Sequence, residues 1–138
     1  MKQAEELKVV AERWMEEIWR KRDLTKFDEI HSLNFMDKSS AGRATTREAF
    51  KKGIIELYEA FPDWEAIIDD LVVDPTTNKV AVRWTATGAH RAAFMGIAPT
   101  NKRITFNGIE IVRVEGGQIV ERWGEWNGIE LLRQLGAF

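Results

Sequence analysis

Apolar residues near the start of the chain recur on helical spacing. Leu7, Val10, Ala11, Trp14 and Ile18 follow the i, i+3, i+4, i+7 rule of one helix face, while Glu5, Glu6, Lys8, Glu12, Arg13, Glu16 and Glu17 fill the other sides. This spacing predicts a long first helix from Ala4 to Arg22. A second, short helix is predicted from Leu24 to His31, with Asp23 or Thr25 able to cap its start. Asn34 to Met36 reads as a brief strand, and Ser39 to Thr46 as a small polar flap. Thr45 followed by Glu48 has the spacing of a capping box. The helix it opens carries Phe50, Ile54, Leu57 and Phe61 on one stripe until Pro62, which cannot extend the ladder, stops it.

The period then changes from helix to strand. Trp64 to Val73, Lys79 to Arg91, Lys102 to Glu115 and Gln118 to Asn127 are rich in β-branched and aromatic residues. Asp74-Pro75-Thr76-Thr77-Asn78 and Glu115-Gly116-Gly117 read as hairpin breaks, and Gly96 to Asn101 as a wider loop. Helices followed by a meander of long strands predict an α+β domain, with helices packed on one face of a curved antiparallel sheet. No linker or repeat interrupts the 138 residues, so the chain reads as one domain over 1–138.

Composition removes several function classes. Twenty basic residues are mixed with 22 acidic ones for a net charge of −2, which leaves no basic field for nucleic acid phosphates. The lack of cysteine excludes disulfides, thiol nucleophiles and Cys-based metal sites. The two histidines form no His-Glu-x-x-His or His-x-His set, so no metal site is expected. The N-terminus is charged and amphipathic, and no apolar run reaches about 18 residues; no membrane partner and a cytoplasmic location are expected.

Three segments carry a family resemblance. They are Phe61-Pro62-Asp63; Gly88-Ala89-His90-Arg91 with Phe94-Met95-Gly96-Ile97-Ala98-Pro99-Thr100; and Gly117 to Trp123 with Leu131-Leu132-Arg133-Gln134-Leu135-Gly136. In their order and spacing they resemble the SnoaL-like polyketide cyclases, also called ester cyclases, of the nuclear transport factor 2-like superfamily. The resemblance implies a cone-shaped barrel, in which a strongly curved antiparallel sheet wraps around the N-terminal helices and leaves a deep pocket. It also implies a homodimer through the outer sheet face and the use of no metal or organic cofactor. An acidic pocket residue is implied to move protons during an intramolecular aldol ring closure. Two positions depart from the pattern: Asn127 stands where many relatives have Asp, and Lys38 where many have His.

Alternation along the strands selects candidate residues for that chemistry. Phe106, Gly108, Glu110, Val112 and Val114 share a face in one strand; Ile119, Glu121, Trp123 and Glu125 share a face in the next. With both faces turned inward, Glu110 and Glu121 approach one pocket, where double ionisation is disfavoured and one acid rises into the general-acid range. The competing reading pairs them with Arg83, Arg113 or Arg122 on the sheet surface. His90 is a candidate to take a proton or polarise a carbonyl, or else a structural residue at the cavity mouth. His31 reads as a surface or helix-terminus residue. Asn127 is a candidate donor to an enolate, and Arg83 a candidate anchor for an anionic ligand or half of a cross-strand pair. Lys38 joins the substrate-binding candidates through the family pattern. Trp14, Met15, Phe50, Phe61, Trp84, Phe94, Met95 and Trp123 are candidates to line the cavity around a small hydrophobic molecule. Three functions fit: a cofactor-independent acid–base enzyme of the polyketide cyclase type, a non-catalytic binding module of the same fold, or an isomerase or hydrolase variant.

Overall fold

A computed structural model describes residues 2–137 of the chain. The first helix, α1 (Lys2–Trp14), buries Leu7, Ala11 and Trp14. It then widens into a π-helical turn over Met15–Arg20, which turns Met15 and Ile18 inward. The Tyr58 hydroxyl donates to the Ile18 carbonyl there. A 3-10 turn, Leu24–Lys26, starts at Asp23, whose carboxylate accepts the Thr25 N–H, and leads into α2 (Phe27–Ile30). The backbone extends at His31, so β1 (His31–Asp37) is longer at both ends than the brief strand the sequence suggests. The next helix, α3 (Arg47–Ala60), is capped one residue later than the capping-box spacing indicates: the Thr46 hydroxyl accepts the Ala49 N–H at 3.2 Å.

The strands β2 (Glu65–Asp74), β3 (Lys79–Ala89), β4 (Arg103–Glu115) and β5 (Gln118–Trp126) follow, and a short helix α4 (Gly128–Gln134) ends the fold. Gly116 and Gly117 both take positive φ, +57° and +78°, which joins β4 to β5 through a tight turn. The sheet order is β1-β5-β4-β3-β2. All neighbours are antiparallel except β1, which lies parallel to β5 at one edge. That joint departs from the all-antiparallel expectation, and it brings a residue from before α3 beside the last strand.

One face of the sheet packs on α1 and α3. Val80, Val82, Ala86, Ile104, Phe106 and Val112 point into this core, where they meet Trp14, Phe27, Phe50 and Phe61. Fully burying a side chain of this size contributes about 1.5–3 kcal/mol. Register shifts interrupt β2 near Ile68 and β5 near Val120, and such bulges bend a sheet and raise its twist. Among the described residues no helix is long and apolar enough to cross a membrane.

Candidate active site

The inner face of β4 carries one charge. Glu110 stands between Phe106 and Val112 on that face and is 4% exposed. Across the ladders it faces Val82 of β3 and Gly124 of β5. A Cβ at position 124 would collide with Glu110 Oε2 and with the Arg122 guanidinium. Glycine therefore lets a carboxylate and a guanidinium lie across the β5 backbone.

Arg122 reaches Glu110 because β5 is bulged. Val114 pairs with Ile119 and Arg113 pairs with Glu121, which leaves Val120 as the extra residue. Ile119 before the bulge and Arg122 after it are both buried, although strict alternation would put them on opposite faces. Arg122 Nε donates to Glu110 Oε1 at 2.6 Å, and Nη1 donates to Asp37 Oδ1 at 2.8 Å. The guanidinium also lies 4.9 Å from the Phe50 ring centroid. Asp37, at the end of β1, is fully buried. It accepts the Ser39 N–H at 3.0 Å and approaches Arg43 at 3.3 Å.

Two buried carboxylates thus share the Arg122 cation. Burial pushes the Glu110 carboxyl above its ordinary range; Arg122 pulls the other way, and Asp37 adds to the rise. Burial acts to lower Arg122, but Glu110 and Asp37 outweigh it and hold the guanidinium charged. Arg122 occupies one Glu110 oxygen, and the other, Oε2, is buried without a protein hydrogen-bond partner. The Trp84 indole N–H leans toward the carboxyl but does not close a hydrogen bond.

This carboxyl forms the polar end of a cavity of about 190 Å³. Aromatic rings form much of its wall, among them Trp19, Phe50, Trp64, Trp84, Phe106 and Trp126. Ser39, Ala41 and Arg43 of the loop after β1 form part of the rim, where the Ser39 hydroxyl accepts the Gly124 N–H at 3.0 Å.

Of the sequence candidates, Glu110, Trp84, Phe94, Met15 and Phe50 line this cavity. Glu121 does not. Past the bulge it turns to the outer face, where Arg113 bonds it and Lys38 lies 3.5 Å away, and Arg113 holds its carboxyl below the ordinary range. Lys38 is thereby engaged outside the cavity as well. Trp123 shares the outer face and lies under the Lys79 ammonium at 4.9 Å. Arg83 is also outside, paired with Asp70 at 2.7 Å. Asn127 caps α4 by accepting the Glu130 N–H at 3.1 Å. His90 is fully buried away from the cavity, stacked on Phe61, with Nδ1 accepting the Thr100 N–H at 3.1 Å. Burial lowers its pKa, which favours the neutral ring. Trp14 and Phe61 are buried core residues off the cavity wall, and Met95 is exposed on a loop.

His31 is buried rather than at the surface. Its Nδ1 donates to the Phe27 carbonyl at 2.9 Å, and its Nε2 accepts the Trp14 indole N–H at 3.1 Å. Sequence reasoning missed Asp37, Arg122, Trp19, Trp64 and Trp126 as site residues. A signal was present: glycine within a strand at 124 marks close approach by another group.

A helix-backed, strongly bent sheet with a pocket against its inner face is the nuclear transport factor 2-like α+β architecture. Residues 9–135 match the SnoaL-like polyketide cyclase family, and the chain belongs to it. The fold is similar to that of AclR from Streptomyces galilaeus, a candidate hydroxylase, with 26% identity, a TM-score of 0.86 and 98% of each chain covered. It is similar also to IdmH from Streptomyces antibioticus, a candidate polyketide cyclase, with 27% identity and a TM-score of 0.82 over 94% of this chain and 98% of that one. A candidate polyketide cyclase from Bacillus cereus shares 27% identity, with a TM-score of 0.79 over 95% of this chain and 80% of its own. No curated protein matches the chain.

Proposed function

We propose that the protein is an acid–base enzyme of the polyketide cyclase type, acting on a hydrophobic carbonyl compound, with Glu110 as the proton carrier. The observation that carries this reading is the buried Glu110 carboxyl at the polar end of an aromatic cavity, one oxygen fixed by Arg122 and the other free of protein partners. Oε2 takes a proton from an acidic carbon next to a carbonyl, giving an enolate and a neutral acid. The enolate carbon attacks a second carbonyl of the same molecule, a C–C bond forms, and Glu110 returns the proton to the new alkoxide. The net change is an isomerisation, so no electron carrier is required. A raised carboxyl pKa narrows the gap between this base and a carbon acid. Arg122 fixes the carboxyl throughout.

Exchange of the α-protons of 1-tetralone in deuterium oxide tests the proton step directly. Glu110→Gln is expected to slow enzyme-dependent exchange by about 10²–10⁴-fold. Glu121→Gln, on the outer face, keeps the exchange rate. In the parent the rate rises with pH through the elevated Glu110 pKa, because the ionised form is the base. Unchanged exchange in Glu110→Gln rejects the assignment.

The protein is proposed to act as a homodimer packed through the outer sheet face. Val72, Ala81, Ile111 and Trp123 form a continuous row across that face in register, and Val72 is 65% exposed.

A further inference from the structure

Buried polar atoms without partners are concentrated in one place. Among the described residues, six buried side-chain nitrogen or oxygen atoms lack a protein hydrogen-bond partner. Four of them, the indole nitrogens of Trp19, Trp64 and Trp84 and Oε2 of Glu110, belong to residues lining the cavity described above. An indole N–H can only donate, and a buried donor left unpaired carries a desolvation penalty. Three such donors around one cavity are poorly explained as core filling, since purely apolar side chains would pack there without the penalty.

The three rings also form a row. Trp19 and Trp64 have centroids 6.4 Å apart, and Trp64 and Trp84 have centroids 6.1 Å apart. The row ends at Glu110, toward which the Trp84 N–H leans. Trp19 comes from the π-helical turn, Trp64 from the loop just before β2 and Trp84 from β3, so three separate segments supply the same chemical group.

We infer that Trp19, Trp64 and Trp84 are specificity-determining residues that read oxygen atoms of the bound molecule. The set selects a ligand that presents acceptor oxygens along one edge of an apolar, ring-like body. Trp84 takes the oxygen nearest the Glu110 carboxyl, where it supports negative charge developing during proton removal. This inference rests on the cavity being the binding site named above; it does not require Glu110 to be the base.

The experiment compares two probes of nearly equal shape, 1,2-naphthoquinone, which carries two acceptor oxygens side by side on one edge, and naphthalene, which carries none. Titration calorimetry gives the ratio of their dissociation constants for the parent, Trp19→Phe, Trp64→Phe and Trp84→Phe. The parent should prefer the quinone. Loss of one reading donor should cut that preference by about three- to tenfold, the range of a single hydrogen bond. General damage to stability weakens both probes together and leaves the ratio alone, and loss of the indole face, on which a quinone stacks, is separated by benzothienylalanine, in which the ratio must also fall. Where a phenylalanine variant does not fold, replacing tryptophan by benzothienylalanine keeps the fused ring and removes the N–H. A reduced ratio in any of the three supports the inference. A parent without preference, a ratio unchanged in all three, or a parent that binds neither probe overturns it. Failure of Glu110→Gln to slow exchange while the ratio still falls would reject the catalytic assignment alone.

Discussion

Arg122→Met removes the one cation shared by two buried acids. The change deletes the 2.6 Å bond to Glu110 and the 2.8 Å bond to Asp37 and leaves a side chain of similar length. Asp37 keeps the Ser39 N–H and Arg43, but Glu110 keeps no hydrogen bond. Breaking a buried pair by removing one partner costs about 3–5 kcal/mol, because an uncompensated charge stays inside. A domain of this kind is stable by about 5–15 kcal/mol, so the variant still folds and the loss can be measured. The loss has a definite pH dependence. Without Arg122 the folded pKa of Glu110 rises further above its unfolded value of about 4.3. An acid whose folded pKa lies above its unfolded pKa gives most stability below the unfolded value and loses it as pH climbs through the folded one. The deficit relative to the parent is therefore larger near pH 8 than near pH 5. Urea titrations followed by circular dichroism at both pH values measure it. Adding Glu110→Gln to the variant should recover most of the loss. A cost below about 1 kcal/mol, the range of exposed pairs, or a deficit equal at both pH values would refute the reasoning.

Further outcomes follow from the same geometry. Gly124→Ala pushes a methyl group into Glu110 and Arg122 and should cost about 1–3 kcal/mol by denaturation; a neutral effect would mean the pair can slide off β5. His31 titrates at about 4, because burial outweighs its bond to the Phe27 carbonyl. Its stabilising contribution is present above the unfolded value of about 6.5 and is lost as pH falls toward 4; an NMR titration showing imidazole protonation near pH 6.5 would contradict that burial. Ile111→Lys places a charge in the apolar row on the outer face and should yield a monomer by sedimentation, whereas an unchanged mass would remove this face as the interface.

The helices and strands were legible because their periods differ sharply. The strand limits lie close to those read from β-branched and aromatic runs, and Pro62 closes the helix as its ring requires. The acidic position on β4 was legible for the same reason, since that strand keeps strict alternation from Phe106 to Val114. The facing of β5 was not. One inserted residue at Val120 carries Glu121 outward and Arg122 inward, and a bulge leaves no alternation signal of its own. Asp37 was hidden differently: its place in the site depends on β1 lying parallel to β5, a pairing between segments 85 residues apart that no local pattern encodes. The Trp residues stood out by number, but nothing local separates one that fills the core, as Trp14 does, from one that walls a cavity.

The edge pairing of β1 with β5 bears on the order in which the chain folds. Contacts between distant segments form slowly, because the intervening chain must first be ordered. The β2-β3-β4 meander needs only its own turns, while Asp37 and Glu110 must wait for the last strand to bring their counter-ion. During synthesis both acids emerge ahead of Arg122, so neither is neutralised by it until β5 has appeared. The Asp37–Arg122–Glu110 cluster is accordingly among the last parts to mature, and a chain truncated before β5 retains the acids without the cation that joins them.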